Sequence, residues 1–280
     1  MEELRKKLKK LNRIVVKVGT STITHENGKI NFERLDRLTR ALSGLANQGK
    51  DVVLVTSGAI GVGLGKLNLS EKPRTTGEKQ ALAAIGQCEL MHIYSRFFSE
   101  YSYFVGQMLV TRNVFINDGS GRENIINTFN NLFDKRIIPI VNENDSVSVD
   151  EIDFGTTHIF GDNDTLSVYV AKAINADILI LLSDIDGFFD CDPKIDGNAK
   201  LISVIHEITD NFMKYAGNPG SKRGTGGMAT KIEAAKIAIE SNIIMAIANG
   251  KDPLIINDIL NGKDLGSLFV NKKILGKPKK

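Results

Sequence analysis

A lysine stands inside an otherwise apolar, β-branched run, Ile14-Val15-Val16-Lys17-Val18, and Gly19-Thr20-Ser21 follows at once. A charge in such a strand costs desolvation unless it meets an anion. Glycine beyond it lets the backbone approach closely and leaves N–H groups for phosphate oxygens. The competing reading is an edge-strand lysine that keeps its ammonium in water. A second lysine, Lys231, closes Gly224-Thr225-Gly226-Gly227-Met228-Ala229-Thr230-Lys231. Glycines opening a helix suit phosphate, because the first turn of a helix has unspent N–H donors. Lys231 lies one turn in, within reach of a phosphoryl group in transfer.

Four polar clusters lie between the lysines. Thr56-Ser57-Gly58-Ala59-Ile60-Gly61-Val62-Gly63-Leu64-Gly65 reads as an anion-binding nest or as a tight turn after a buried strand. Its spacing misses the dinucleotide fingerprint G-x-G-x-x-G, and no G-x-x-x-x-G-K-[ST] loop occurs, so neither common nucleotide cradle is present. Asn142-Glu143-Asn144-Asp145 after an apolar run suits an ammonium group, a carboxylate or a metal. In Gly161-Asp162-Asn163-Asp164, Asp162 could cap a helix, but two carboxylates and an amide exceed what a cap requires. Ser183-Asp184-Ile185-Asp186-Gly187 is explained in large part by Asx-turns. Two lysines, backbone nests and carboxylates around one sheet suit phosphoryl transfer, which rests on positioning and on neutralising charge on the moving group. No Ser-His-Asp set, glycosidase carboxylate pair or redox cysteine pair competes.

The elements that must hold these groups follow from periodicity. Strands are expected at 14–18, 51–55, 103–110, 137–141, 178–182 and 243–248, with Pro139 pointing to an irregular or edge position. Helices are expected at about 78–100, 122–135, 164–176 and 229–240, and over Leu35, Leu38, Leu42 and Leu45 behind an Asn31 cap. Residues 4–12 form a short basic turn, PLIIND follows near 253–258, and 265–275 carries apolar residues fit for a closing strand. Strands alternating with helices indicate a three-layer α/β/α sandwich around a mostly parallel open sheet. Site-like glycines follow strand ends, where open α/β sheets bind ligands.

With 280 residues, 42% hydrophobic and 25% charged, disorder, collagen and coiled coil are excluded. No apolar run approaches a membrane span, and MEELRKKLKKLNR lacks the apolar stretch of a secretory signal, so a cytoplasmic protein is expected. Cys88 and Cys191 are too few for a disulfide scaffold, and the four isolated histidines offer no metal site. Residues 1–13 carry +4 and 263–280 carry +5 against +3 for the chain, so the body is net acidic. The basic ends read as solubilising or frayed segments rather than a nucleic-acid face.

VVKVGTS (15–21), VTSGAIGVG (55–63), GQMLVTR (106–112), PIVNENDSV (139–147), FGDNDTLSVYVA (160–171), LLSDIDGFF (181–189) and GTGGMATKIEAA (224–235) together resemble the amino acid kinase family over about residues 12–270. The resemblance implies the fold of that family and ATP-dependent phosphorylation of the side-chain carboxylate of L-glutamate, with Mg²⁺ accompanying the nucleotide. It implies that Lys17 and Lys231 flank the phosphoryl group while Asp164 positions both. It places Ser57, Gly58 and Ala59 toward the acceptor, and Asn142, Asp145, Asp162 and Asn163 around its amino and carboxylate ends. Lys17, Gly19, Ser183, Asp184, Thr225, Gly226, Gly227, Met228, Ala229, Thr230 and Lys231 are implied for ATP.

The same resemblance divides the chain into a basic extension (1–13), an acceptor part (about 14–175), an ATP part (about 176–270) and a basic tail (271–280). It further implies a homo-oligomer, dimer or tetramer, and proline as an inhibitor. Departures are serine at Ser183 where threonine is usual, a longer stretch over 151–160 expected to act as a lid, and no counterpart of the C-terminal RNA-modification-type domain of many members. The alternatives are a family member acting on another carboxylate, a carbamate or a nucleotide, a dinucleotide-dependent oxidoreductase, and a nucleic-acid-binding module.

Overall fold

In a parallel sheet covered on both faces, strands are apolar throughout and successive side chains enter opposite layers. That alternation sorts the core of this chain into two clusters. The computed structural model describes residues 2–25, 29–69, 71, 73–117, 119–147, 163–191, 197–208 and 227–273. Its elements are α1 (Glu2–Leu8), β1 (Arg13–Val18), α2 (Thr20–Ile23), α3 (Phe32–Asn47), β2 (Asp51–Val55), α4 (Ala59–Lys66), α5 (Thr76–Ser99), β3 (Val105–Val110) and α6 (Arg112–Ile116). There follow α7 (Ser120–Asp134), β4 (Ile138–Glu143), α8 (Asn163–Ala173), β5 (Ile178–Ser183), β6 (Val204–Ile205), α9 (Met228–Glu240), β7 (Ile244–Asn249), α10 (Ile255–Leu260) and β8 (Ser267–Phe269).

Among the described residues the sheet has the order β3-β4-β2-β1-β5-β7-β8-β6. Every pairing is parallel except that of β8 against β7. On one face Ile14, Val16 and Val18 of β1 join Ile178, Ile180 and Leu182 of β5 beneath α3, α5 and α10. On the other, Val15, Val53, Val55, Leu179 and Leu181 pack against α7, α8 and α9. Helix α3 starts where expected, the Asn31 side chain accepting from the Arg34 backbone N–H. Helix α5 begins with a capping box between Thr75 and Glu78.

Three findings depart from expectation. Pro139 lies in an interior strand, β4, flanked by β3 and β2. The Ile138 N–H donates to Phe104 on the β3 side, so the donor missing at Pro139 would face β2, where pairing starts only at Ile140. The glycine-rich stretch after β2 is a helix, α4, and not a loop. Gly58 supplies the left-handed turn into it (φ +99°), and two glycines let α4 and α5 touch backbone to backbone. A Cβ on Gly63 would lie 2.2 Å from the Leu82 carbonyl oxygen, and one on Gly86 only 1.8 Å from that of Ala59.

The third departure is at the N-terminus, where α1 is packed against the body. Leu4 and Leu8 are buried, and so is Arg5, at 3% exposure. The Arg5 guanidinium donates to the carbonyls of Lys263 (2.8 Å) and Leu265 (3.0 Å) and to Ser203 Oγ (2.9 Å), and it pairs with Asp264 (2.7 Å). It thereby ties α1 to the segment entering β8 and to the residue before β6. Arg5→Ala strips donors from several carbonyls at once, and hydrogen bonds to a charged group contribute about 1.5–3 kcal/mol. We expect a loss of about that size in urea unfolding, with no change in KM for any substrate.

Candidate active site

Strands β3, β4, β2, β1, β5 and β7 all run the same way, so their carboxyl ends share one rim. The chain fills the β2, β3 and β4 side of β1 first and then crosses to β5 and β7, which makes the β1/β5 boundary a topological switch point, where a crevice opens. Lys17 is the next-to-last residue of β1, level with Val55 of β2 and Leu181 of β5. The period of two puts it on the face of Val15, beneath α8 and α9. Those helices deliver the other two charges. Asp164 lies in the first turn of α8, and Lys231 lies one turn into α9.

The three side chains meet. Asp164 Oδ1 is 2.6 Å from Lys17 Nζ and Oδ2 is 2.9 Å from Lys231 Nζ. Thr230 Oγ1 approaches the same Oδ2 at 3.5 Å, and Ser167 Oγ donates to the Asp164 backbone carbonyl (2.6 Å). Asp164 is 1% exposed and each lysine 7%, so the carboxylate is closed off from solvent and the lysines nearly so. Burial alone would push the Asp164 carboxyl up. The charges of Lys17 and Lys231, with their hydrogen bonds, outweigh it and hold the group below the usual carboxylate range. One carboxylate thus keeps two cations side by side, and the three groups together sum to +1.

The surroundings fit a polyphosphate. A Cβ on Gly19 would sit 3.8 Å from Lys17 Nζ, so the backbone there runs beside the ammonium. Gly227 precedes the 13-residue α9 with no side-chain cap, and among the described residues nothing lies within 4 Å of its Cβ position, an N-terminus of the kind that suits an anion. Met228 and Ala229 form its first turn. At the end of β5, Ser183 Oγ donates to Asp184 (3.1 Å), beside Val18 of β1.

On the β2/β4 side Asn163 Nδ2 donates to Ser57 Oγ (2.8 Å) and to Asn142 Oδ1 (3.2 Å). Gly58 abuts Thr20 at the start of α2, with its Cβ position 3.2 Å from Thr20 Oγ1, so the loops after β1 and β2 are in contact. Ala59 opens α4, and Asp145 is half-buried in the turn after β4. The structure therefore gathers Lys17, Asp164 and Lys231 directly, and joins Asn163, Ser57 and Asn142 to them through neighbouring Asn163 and Asp164. Asp162, Thr225, Gly226 and the 151–160 stretch lie outside the described residues.

Two residues were missed. Gln87 of α5 accepts from Asn142 Nδ2 (2.8 Å), and Tyr94, one heptad on, hydrogen-bonds Thr56 (2.8 Å) and is fully buried. The available signal was a glutamine among the apolar residues of α5. Among the described residues no helix is long and apolar enough to cross a membrane.

Residues 12–249 match the profile of the Amino acid kinase family. The chain is similar to a glutamate 5-kinase of Clostridium perfringens, 56% identical over 270 residues, covering 96% of this chain and 99% of that one. It is 51% identical to a glutamate 5-kinase of Enterococcus faecalis (95% and 97% covered), and 52% identical to one of a Thermoanaerobacter species, of which it spans 68%. Among solved structures, a UMP kinase of Bacillus anthracis superposes with a TM-score of 0.61 at 16% identity, covering 94% of this chain and 97% of that one. The isopentenyl phosphate kinase of T. acidophilum superposes at 0.60 and 17% identity (92% and 99% covered). At such identities these two structures speak for the fold alone.

Proposed function

Because the chain belongs to the amino acid kinase family, we propose that it transfers the γ-phosphoryl group of ATP to the γ-carboxylate of L-glutamate. The products are L-glutamyl 5-phosphate and ADP, and the reaction is the first step of proline biosynthesis. The observation that carries this reading is the pair of lysines locked by Asp164 at the switch point, in a chain 56% identical to a glutamate 5-kinase over nearly its whole length.

The side-chain carboxylate of glutamate is ionised near neutral pH, so its oxygen attacks phosphorus without a base. That oxygen–phosphorus bond forms as the bond from phosphorus to the β–γ bridging oxygen breaks, and the electron pair leaves on ADP. Lys17 and Lys231 neutralise the charge spread over the moving group and the bridging oxygen. Asp164, buried and paired on both oxygens, sets their separation and takes no proton. Mg²⁺ bound with the nucleotide would supply further charge neutralisation at the phosphates, beside the charges of Lys17 and Lys231.

Ser57, Gly58 and Ala59 face the acceptor, and Asn142, Asp145, Asp162 and Asn163 hold its amino and carboxylate ends. Gly19, Ser183, Asp184 and residues 225–231 take ATP, dividing the domain into an acceptor part before about 175 and a nucleotide part after it. The enzyme works in the cytoplasm as a homo-oligomer and is inhibited by proline. ADP release and hydroxylamine trapping of the acyl phosphate, with L-glutamate set against D-glutamate, aspartate and UMP, test the reading. Turnover on L-glutamate alone supports it, and turnover on UMP with none on glutamate overturns it. In the same assay Asp145→Ala should raise the KM for glutamate at least tenfold with kcat changed only a few-fold, as expected for a group that binds ground and transition states alike.

A further inference from the structure

Hydrogen-bond polarity around Asn142 is fixed by one group that cannot reverse. The Glu143 backbone N–H donates to Asn142 Oδ1 (3.0 Å), and since a backbone N–H cannot accept, that contact decides which end of the amide is oxygen. Asn142 Nδ2 therefore faces Gln87 and donates to its Oε1 (2.8 Å). Asn163 must present Nδ2 to the same Asn142 oxygen (3.2 Å), and the other hydrogen of that NH₂ goes to Ser57 Oγ (2.8 Å). Ser57 accepts here, so its own proton is left to donate elsewhere.

Two buried atoms end this relay without a partner among the described residues, Gln87 Nε2 and Asn163 Oδ1. An acceptor at Asn163 suits the ammonium of an α-amino acid, and a donor at Ser57 suits a carboxylate. We propose that Gln87, which is 93% buried, is a positioning residue of the acceptor site. By taking the Asn142 NH₂ it backs the Glu143 N–H in holding the Asn142 amide, and through it Asn163, in the orientation that offers Asn163 Oδ1 to the amino group of the substrate. Without the Gln87 acceptor the Asn142 NH₂ is left buried and unpaired and the Glu143 N–H alone keeps that amide in register, so the Asn142–Asn163 contact that aims Asn163 Oδ1 loosens. The inference rests on the reading of the site as one for an amino acid. It adds a residue of α5, 55 positions from Asn142 in sequence.

The test uses the full chain, with both substrates varied. Gln87→Met, close in shape but without the amide, should raise the KM for L-glutamate roughly ten- to hundredfold, the worth of one hydrogen bond to a charged group. Its kcat and its KM for ATP should stay within about threefold. Gln87→Glu keeps an acceptor oxygen toward Asn142 and should hold the KM for glutamate within about threefold of wild type. In an Asn163→Ala background, Gln87→Met should add nothing further, because its effect runs through Asn163. A full additive effect in that background, equal damage from Gln87→Glu, or parallel loss of kcat and both KM values would overturn the relay. Hydroxamate formation by the wild-type enzyme separates the two claims. Absence of product from L-glutamate sinks the functional reading, whereas normal product with a KM indifferent to Gln87 sinks only this inference.

Discussion

Lys231→Ala should lower kcat by about 10²–10³ while the KM for glutamate moves no more than a few-fold. The reason is placement. Lys231 Nζ is held 2.9 Å from Asp164 in the resting protein, so its charge is already oriented and needs no reorganisation when the phosphoryl group moves. An interaction of that kind gains most when negative charge develops between the two lysines, and loses most when it is removed. Lys17→Ala should show the same pattern, being tied to the other oxygen of the same carboxylate. Steady-state kinetics with each substrate varied will decide it. A Lys231→Ala enzyme altered only in KM would place the lysine in ground-state binding and leave the transition state without its assigned stabiliser.

Asp164→Asn should cost both turnover and stability. The amide matches the carboxylate in shape but leaves two ammonium groups, each 7% exposed, facing one another without the intervening negative charge. Removing one partner of a buried ion pair destabilises by about 3–5 kcal/mol, and a loss of this order should appear in denaturant titration. The kcat should fall at least as far as in the lysine variants, since both cations lose their fixed position together. The pH dependence follows from the direction of the Asp164 shift. A carboxyl held below its unfolded value stabilises the fold at every pH above that unfolded value, near 3.9. It loses that contribution only as pH falls through the lower, folded value. The stability difference between wild type and Asp164→Asn should thus be flat from about pH 5 upward and shrink only in stronger acid. A difference that vanished between pH 6 and 7 would contradict the pairing.

The parallel strands were legible because β-branched runs such as 14–18 and 178–182 satisfy a backbone covered on both faces. Lys17 stood out for the same reason, as the one charge in such a run. Glycine was less readable, since its letter does not distinguish a turn from a close approach. Gly58 serves the first purpose and Gly63 the second, and only the packing of α4 on α5 tells them apart. Gln87 escaped notice because a glutamine in a helix usually faces water, and its burial depends on β4 ending beside it. Arg5 was read as part of a solubilising end, although its partners lie some 260 residues away. Pro139 was half legible: the irregular pairing it announces is there, on the β2 side, where pairing starts only at Ile140, but the strand is interior, and which side lacks the donor is known only once the strand order is.

The long reach of Arg5 bears on how the chain is made. Helix α1 leaves the ribosome well before its partners, since the carbonyls that receive its guanidinium belong to Lys263, Leu265, Gly266 and Ser203. At translation speeds of about 5–20 residues per second, the nascent N-terminus waits on the order of 10–50 s for its docking surface. During that interval Leu4 and Leu8 have no lasting cover, and the central strand β1 can pair with β2 long before β5 exists. Docking of α1 consequently waits for residues 263–266, a seal set after both flanks of the sheet are in place. Ribosome-released fragments ending before residue 260 should leave this segment open to proteases that the finished protein resists.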